Sequence, residues 1–311
     1  MNTRTLCHFA TGLGNFICMT PAVRALASMD HSGQVDLCTD VGWIDSRKDG
    51  MVDLWKRLPF VQDVYSCDFD CERGPRLGKD YAVWFYADWA THGAAFEFFH
   101  NKFPYRAPVW DHSKTHETDY YFDIVRSFYG YAGEKPDQMV VPAPSPIFET
   151  RGRKLVCLCN GSFGEIAVAK KWNGFPGLAD ALRGYYGDKI AIAKIGANRE
   201  LEDVQAEFDF VGKLSFTETL RVLDQSDMLV TTDTGLMHAA DALKKPMAVL
   251  WGGSVLKKNE PINGTARVIH LGLSCQPCLN SGGYRTCEKY SCMDGITQSE
   301  VFFNVREMLN V

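Results

Sequence analysis

The sequence predicts an α/β protein with two Rossmann-like domains, each a doubly wound parallel sheet, that face each other across a cleft. Short, continuous apolar runs alternate with amphipathic stretches along all 311 residues. This alternation is typical of strands that are covered by helices on both faces. A single proline-rich segment, at 140–153, interrupts the pattern, which then begins again. The restart predicts a second domain.

In the first half, apolar runs predict three strands, at 4–10, 34–39 and 80–86, and amphipathic spacing predicts three helices, at 21–29, 94–103 and 118–131. Thr20 followed by Pro21 predicts an N-cap and a first helical position for the helix at 21–29.

Pro142, Pro144 and Pro146 cannot continue a helix or a central strand, so they mark the linker. We therefore expect an N-terminal, acceptor-side domain at 1–145 and a C-terminal, nucleotide-sugar-binding domain at 146–311. In the second domain strands are predicted at 154–159, 189–195, 227–232, 246–252 and 267–272. Helices are predicted at 175–186, 199–208, 215–225 and 235–244, with a further helix at the C-terminus.

Composition limits the functions that the chain can have. Hydrophobic residues make up 46% and charged residues 23%, which is typical of a globular protein, and the net charge is −5. This charge argues against a broad nucleic-acid-binding surface, so no nucleic-acid partner is expected. The first residues lack a signal-peptide pattern, and no apolar run approaches the ~18–20 residues of a transmembrane helix. We expect a cytoplasmic protein without a transmembrane segment.

The stretch "VTTDTGLMHAADAL" at 230–243 is the most informative motif. It places Asp233, Thr234 and Gly235 at the carboxyl end of a predicted strand, where open α/β sheets bind ligands. The free N–H groups of the helix that follows suit a diphosphate. Asp233 could bind a sugar hydroxyl or merely cap the helix, whereas Thr234 is a second candidate for the cap. His238, one turn on, is more typical of packing than of catalysis but remains a donor-binding candidate.

Two more loops follow predicted strands in the second half. The segment "NGSFGEIAVAKKW" at 160–172 contains Ser162 and Lys170, and the lysine could offset the charge of a leaving diphosphate or be ordinary solvated surface. In "IGANRELED" at 195–203, Glu200 could accept hydrogen bonds from ribose hydroxyls or be an exposed first-turn glutamate.

The segment "ATGLGNF" at 10–16 follows the first predicted strand. Gly12 and Gly14 permit a tight turn and close approach of a ligand, so they are binding candidates. The alternative is that they only form a strand-to-helix turn. A dinucleotide site would want a third glycine where this chain has Ile17.

Four of the 11 cysteines lie near the C-terminus, in the pattern C-x2-C-x8-C-x4-C formed by Cys275, Cys278, Cys287 and Cys292. The spacing fits a tetrahedral thiolate site for Zn or Fe, and an iron–sulfur cluster also stays open. Four sulfur ligands leave no open coordination position, so such a site would be structural. Reduced thiols and disulfides are the alternatives.

Together these segments resemble glycosyltransferase family 9, the ADP-heptose heptosyltransferases and their relatives. The resemblance covers about 5–30 and 155–296. It is carried by "GLGN" leading to "TPAVRAL", by Lys170 before Trp172, and by "GANRE". "VTTDTGLMHAADAL", the following P-x-x-V-L-W-G and the terminal cysteines complete it.

The resemblance implies a GT-B architecture and an inverting transfer of a sugar from a nucleotide diphosphate, with ADP-heptose as the expected donor and no obligatory catalytic cation. The acceptor would be a hydroxyl of a glycan, a lipid-linked saccharide or a protein. The resemblance also implies that Lys170 contacts phosphate, that Glu200 contacts ribose, and that Asp233, Thr234 and Gly235 hold diphosphate and sugar. The cysteines resemble those of the branch that glycosylates bacterial autotransporters, where they hold iron.

One position departs from the family. Well-studied heptosyltransferases carry an aspartate, the proposed base, after the glycine turn, but this chain has Asn15, which cannot take up a proton at neutral pH. Either Asn15 orients the acceptor and the base lies elsewhere, or the protein binds nucleotide sugars without transferase activity. Asp88, with His92 behind it, is the first candidate for a substitute base, although Asp88 is equally well placed to cap a helix.

Overall fold

The computed structural model describes residues 4–8, 12–40, 48–67, 69–70, 74–75, 83–85, 110–145, 148–161, 165–197, 201–279 and 283–310. The chain forms two compact units, Met1–Val141 and Pro142–Val311. The division falls inside the proline-rich segment in which the sequence places the linker.

The first unit contains a parallel sheet of four strands, in the order β3-β2-β1-β6. Its strands are β1 (Thr5–His8), β2 (Val35–Asp40), β3 (Val61–Cys67) and β6 (Val83–Phe85), and the two-residue strands β4 (Phe69–Asp70) and β5 (Gly74–Pro75) pair separately. Its described helices are α1 (Leu13–Met29), α2 (Lys48–Lys56) and α3 (Glu117–Tyr129). The three predicted strands and the helix at 118–131 are confirmed. The helix predicted at 94–103 lies outside the described residues.

The predicted start of the helix at Thr20 and Pro21 is wrong, because α1 begins at Leu13 and Pro21 lies inside it. A proline has no N–H to donate to the carbonyl four residues earlier, which here is that of Ile17. The Thr20 hydroxyl donates to this carbonyl at 2.7 Å, and it accepts from the backbone N–H of Met139 at 3.0 Å. The threonine thus compensates for the missing hydrogen bond and lets the helix continue.

α3 packs against α1 and starts beside its first turn. His116 is the N-cap, and its Nδ1 accepts from the backbone N–H of Thr118 at 3.1 Å. The helix ends at Gly130, whose φ of 73° is the left-handed conformation that glycine adopts readily. These caps fix Glu117 at the first position of α3.

The second unit contains a parallel sheet of six strands, in the order β12-β11-β10-β7-β8-β9. Its strands are β7 (Lys154–Cys159), β8 (Ile190–Lys194), β9 (Phe208–Asp209), β10 (Met228–Thr232), β11 (Met247–Trp251) and β12 (Ala266–His270). All five strands predicted for this half are confirmed. The chain runs outward from β7 in one direction and from β10 in the other, so the sheet reverses its winding between these two strands. This switch point is where doubly wound sheets bind ligands.

The helices described in the second unit are α4 (Phe175–Tyr186), α5 (Phe216–Gln225), α6 (Gly235–Ala242), α7 (Leu256–Asn259), α8 (Ser291–Asp294) and α9 (Gln298–Met308). The helices predicted at 175–186, 215–225, 235–244 and the C-terminus are confirmed. No helix in the described part of the chain is both long and apolar enough to cross a bilayer.

The helix predicted at 199–208 is wrong. From 201 the chain forms a turn and then the edge strand β9, which pairs with β8. Lys194 donates to the carbonyl of Leu201 at 3.1 Å and pairs with Asp209 at 3.0 Å, and Glu207 accepts from the N–H of Ile192 at 2.9 Å. These contacts with β8 override the local helix propensity.

We predict that Thr20→Val lowers the free energy of unfolding by about 2–4 kcal/mol, because it leaves the buried carbonyl of Ile17 and the half-buried N–H of Met139 without their partner. Ser28→Ala is the matched control on the same helix, since the Ser28 hydroxyl donates to the Ala25 carbonyl at 2.7 Å in a part-buried position with no proline nearby. Equilibrium urea unfolding measures both variants. Equal losses in the two would show that Thr20 does not compensate for Pro21.

Candidate functional site

The carboxylate of Asp233 lies at the carboxyl end of β10, and the side chain is 4% exposed. Lys170 Nζ lies 2.7 Å from Asp233 Oδ2, and the Ser254 hydroxyl donates to the same oxygen at 2.5 Å. Lys170 belongs to the segment that follows β7, and Ser254 to the segment that follows β11. The segments that follow three neighbouring strands, β7, β10 and β11, therefore bring an ammonium group, a carboxylate and a hydroxyl together at the switch point of the sheet.

The carboxylate is held in its charged form. Burial raises the pKa of Asp233, but the positive charge of Lys170 opposes this effect, as do the hydrogen bonds from Lys170 and Ser254 and the charge of His238. The net result is a pKa below the ordinary value of a carboxyl group. Asp233 is therefore a buried anion that can accept hydrogen bonds but does not serve as a proton donor near neutral pH.

Lys170 is held in position by hydrogen bonds that anchor Trp172, two residues later in the chain. The Asn160 side chain accepts from the backbone N–H of Trp172 at 3.0 Å and donates to its carbonyl at 2.8 Å. The indole N–H of Trp172 donates to the carbonyl of Ile296 at 2.9 Å. Asn160 thus fixes the segment, a role that the sequence did not indicate.

The N-terminus of α6 adjoins this anion. Thr234 is the N-cap, and its hydroxyl accepts from the backbone N–H of Met237 at 3.3 Å, so Asp233 does not cap the helix. The first-turn N–H groups of a helix have no partner within the helix, and its dipole favours anions there. Gly235 is the first residue of α6, and His238 is buried one turn on. The arrangement suits a ligand with anionic oxygens near Lys170 and hydroxyl groups near Asp233.

Ser254 was missed by the sequence reasoning, although the polar "GGS" directly after an apolar strand was an available signal. The loop that carries it is bonded to the cysteine segment, because the carbonyl of Gly253 accepts from the backbone N–H groups of Cys278 and Leu279 at 2.9 and 3.0 Å. A Cβ atom on Gly253 would lie 2.6 Å from Cys278 Sγ. A side chain at 253 would force this contact to shift, so the cysteine segment forms a wall of the loop that positions Ser254.

The four cysteines of the segment share one electrostatic environment. Burial raises the pKa of Cys292 to about 11, and the charges of the other three cysteines contribute in the same direction. The pKa of Cys278 is also raised, first by burial and then by Cys275 and Cys287. Among the residues that the structure describes, however, no three or more His, Cys, Asp or Glu side chains are grouped so that they could hold a metal ion. The four thiols are close enough to influence the pKa of Cys292, but in the described structure their side chains are not arranged as metal ligands.

Asn15 lies in the first turn of α1, after β1. Its Nδ2 donates to Glu117 Oε1, and the hydroxyl of Tyr121 donates to the same oxygen at 2.7 Å. Glu117 is 1% exposed. No sequence pattern indicates this contact, because a glutamate in the first turn of a helix is usually a surface residue.

The remaining predicted site residues divide into two groups. Gly12 is the N-cap of α1 and Gly14 lies in its first turn, in the first unit. Asp88, His92, Ser162 and Glu200 lie outside the described residues, and their roles stay predictions.

Residues 151–287 match the sequence profile of glycosyltransferase family 9 (heptosyltransferase). The matched range contains Lys170, Asp233, Thr234 and Gly235. The chain's resemblance to glycosyltransferase family 9 is confirmed. The profile does not extend to Asn15 in the first unit or to Cys292.

Family 9 proteins are also found among the relatives and the solved structures. The lipooligosaccharide heptosyltransferase 2 of Campylobacter jejuni is 26% identical over 178 residues, which are 53% of this chain and 54% of that protein. The chain spans about half the length of the curated relatives it matches.

Two solved structures share the fold. The family 9 glycosyltransferase of Veillonella parvula aligns with a TM-score of 0.78 at 15% identity, over 99% of this chain and 97% of that one. The iron-containing dodecameric heptosyltransferase TibC of enterotoxigenic E. coli, solved with ADP-D-beta-D-heptose, aligns with a TM-score of 0.67 at 16% identity, over 99% and 76% of the two chains. The predicted GT-B fold class is therefore confirmed.

We predict that Lys170→Met lowers the free energy of unfolding by about 3–5 kcal/mol, because it leaves Asp233 as a buried charge without its cation. Adding Asp233→Asn should restore much of the loss, since the charge is then gone. Lys154→Met is the control, because Lys154 and Asp227 form an exposed pair at the opposite end of β7 that is worth at most about 1 kcal/mol.

The stability of the wild type and that of Lys170→Met should also depend differently on pH. In the wild type the pKa of Asp233 is lowered by folding, so its contribution to stability is present above the ordinary carboxyl pKa and is lost as the pH falls through the folded value. In Lys170→Met only the Ser254 hydrogen bond and the charge of His238 still oppose burial, so the folded pKa rises, and once it exceeds the unfolded value stability falls as the pH increases. Unfolding curves at pH 4 to 8 test this, and parallel pH profiles for the two proteins would contradict it.

Proposed function

We propose that the chain is a glycosyltransferase that moves a heptose from ADP-heptose to a hydroxyl acceptor, with inversion at the anomeric carbon. The observation that carries the proposal is the buried pair of Lys170 and Asp233 beside the N-terminus of α6, at the switch point of the second sheet. The family 9 match over the same residues and the heptosyltransferase relatives support it. The nucleotide of the donor is proposed from TibC, which was solved with ADP-D-beta-D-heptose.

In the proposed complex the diphosphate of the donor lies against the first turn of α6 and the Lys170 ammonium. Both stabilise the negative charge that collects on the diphosphate as it leaves. Asp233 accepts hydrogen bonds from sugar hydroxyls, Gly235 leaves room beside the phosphates, and His238 supports the charge of Asp233. Since a cation and helix amides already face the leaving group, the proposed reaction has no obligatory catalytic metal ion.

In the proposed chemical step the acceptor oxygen bonds to the anomeric carbon on the face opposite the diphosphate. The bond between that carbon and the diphosphate oxygen breaks, and its electron pair leaves with the diphosphate. The hydroxyl proton passes to Asp88, the proposed base, and such a transfer contributes roughly 10²–10⁴ in rate. Asn15 holds the acceptor beside the turn formed by Gly12 and Gly14.

The other assignments are proposed on the sequence pattern. Ser162 borders the donor and Glu200 binds its ribose. The acceptor is proposed to be a glycan, a lipid-linked saccharide or a protein hydroxyl, and the names of the curated relatives favour a lipooligosaccharide. The cytoplasm is the proposed location. A nucleotide-sugar-binding protein without activity is not favoured, because the curated relatives are named as heptosyltransferases.

We predict that ADP and ADP-heptose raise the melting temperature of the protein and that UDP and GDP do not. A ligand at 100 times its Kd stabilises the folded state by about 2.7 kcal/mol, which a thermal-shift screen detects readily. Lys170→Met should weaken ADP binding by about ten- to a hundred-fold, because it removes a charge-assisted contact with phosphate. Lys154→Met removes the same residue type from the other end of β7 and should leave the Kd unchanged.

Isothermal titration calorimetry supplies the Kd values. Equal losses in both variants would show that the lysine charge acts at long range rather than at a site. Transfer is measured as release of ADP from ADP-heptose with deacylated lipooligosaccharide as acceptor, and Asp233→Ala should abolish it. Normal turnover in Asp233→Ala would overturn the placement of the donor site.

We also propose that Cys275, Cys278, Cys287 and Cys292 bind a structural Fe or Zn ion, or an iron–sulfur cluster. Four thiolates are the donor set that these groups use, and TibC is described as iron-containing. Because the four side chains are not arranged as a ligand set, the thiols would have to move together to bind the metal. A bound metal would fix the wall of the Gly253–Ser254 loop, and no step of the reaction passes through it.

We predict that elemental analysis of the purified protein finds Fe or Zn and that Cys287→Ser loses the metal, because three ligands bind more weakly than four. Cys159→Ala is the control, since this buried cysteine at the end of β7 lies outside the segment. Absence of both metals from protein purified without chelators would leave the segment as reduced thiols.

A further inference from the structure

Glu117 is a buried carboxylate that no step above uses. It is the first residue of α3, and Oε1 accepts two hydrogen bonds, from Asn15 Nδ2 and from the hydroxyl of Tyr121. Asn15 and Glu117 are 102 residues apart in the chain, so the contact is a product of the fold. It joins the start of α1, at the carboxyl end of β1, to the start of α3.

Glu117 is the acceptor in both contacts, because Asn15 and Tyr121 each donate to Oε1. It lies in the first turn of α3, where the helix dipole stabilises an anion. Tyr121 is fully buried, and burial followed by the charge of Glu117 raises its pKa well above the ordinary value. The tyrosine therefore keeps its proton and acts as a donor to the carboxylate.

A carboxylate can only accept hydrogen bonds, so Asn15 must turn its NH2 group towards Glu117. The amide oxygen, Oδ1, then faces the other way. Oδ1 lies 3.7 Å from the position that a Cβ atom on Gly12 would take. Gly12 is exposed and Asn15 is partly exposed, so the oxygen borders open surface.

This surface adjoins the switch point of the first sheet, because β1 lies between β2 and β6 and the chain winds outward from β1 in one direction. Ligands of such sheets bind at the carboxyl ends of the strands beside the switch point. The Asn15 amide is therefore a fixed hydrogen-bond acceptor at a ligand-binding edge.

We propose that Glu117 is a positioning residue that locks the amide of Asn15, so that Oδ1 accepts a hydrogen bond from a hydroxyl of the acceptor other than the one that attacks. The proposal rests on the proposed function. It gives Asn15 a role that needs no proton uptake. It also accounts for an amide at this position, since an aspartate would bring two carboxylates into contact, which is unfavourable unless they share a proton.

The first test observes the hydrogen bond itself in the protein without substrate. In protein labelled with 15N-asparagine, the Asn15 side-chain signal, assigned by its loss in Asn15→Ala, should be shifted downfield and exchange slowly with water. Glu117→Gln should reduce the shift and the protection, because a glutamine amide can meet either end of the Asn15 amide and no longer fixes its orientation. Tyr121→Phe should retain both, because it deletes the other hydrogen bond to the same oxygen without touching Asn15. An Asn15 signal that Glu117→Gln leaves unchanged would overturn the proposal.

The second test separates positioning from simple loss of structure. With ADP-heptose and deacylated lipooligosaccharide, Glu117→Gln should raise the KM for the acceptor about ten-fold, the effect of losing one neutral hydrogen bond. The KM for ADP-heptose should change less than about two-fold. Tyr121→Phe should lose stability without this change in the acceptor KM.

The exchange variant Asn15→Asp/Glu117→Gln keeps one amide and one carboxylate in contact with their positions reversed. It should recover the acceptor KM to within about three-fold of the wild type, because the new carboxylate accepts from the new amide and again offers an oxygen outward. An equal rise in both KM values in Glu117→Gln, or no rescue in the exchange variant, would show that Glu117 only maintains the fold. Absence of transfer in the wild type would refute the proposed function alone, since the NMR test does not depend on turnover.

Discussion

The buried contact between Lys170 and Asp233 is the constraint around which the second unit is organised. A carboxylate that is 4% exposed is stable only if a cation and hydrogen-bond donors reach it, and each comes from a different strand end. Asn160 holds the segment that carries the cation, and the loop after β11 supplies the Ser254 hydroxyl. The carboxyl ends of the central strands therefore meet at the Lys170–Asp233 ion pair, and this edge of a doubly wound sheet is where ligands bind.

Much of this unit could be read from the sequence, since its central strands are continuous apolar runs and its polar loops follow them directly. What could not be read depends on contacts between distant residues. The chain at 201–209 has helix-forming residues but is held to β8 by Lys194 and Glu207. Pro21 signals a helix start, yet the Thr20 hydroxyl replaces the lost hydrogen bond. In both cases hydrogen bonds from side chains change the outcome that local propensity favours.

The two units differ in how far their function could be inferred. The family profile covers 151–287, so the donor-side residues could be assigned by their type and place. In the first unit a local pattern cannot show that Asn15 contacts an acid on another helix, Glu117, which is 102 residues away in the chain. An amide does not ionise, so the only acid in this contact is the buried Glu117.

The contact between Gly253 and Cys278 links the sequence of the loop after β11 to that of the cysteine segment. Because a Cβ atom at 253 would meet the sulfur at 2.6 Å, a larger residue at 253 requires the cysteine segment to shift. A chimera that takes its C-terminal segment from a relative without these cysteines should also take that relative's loop after β11. Directed evolution of donor preference would start best from libraries that vary the two stretches jointly, since they are in contact beside Ser254.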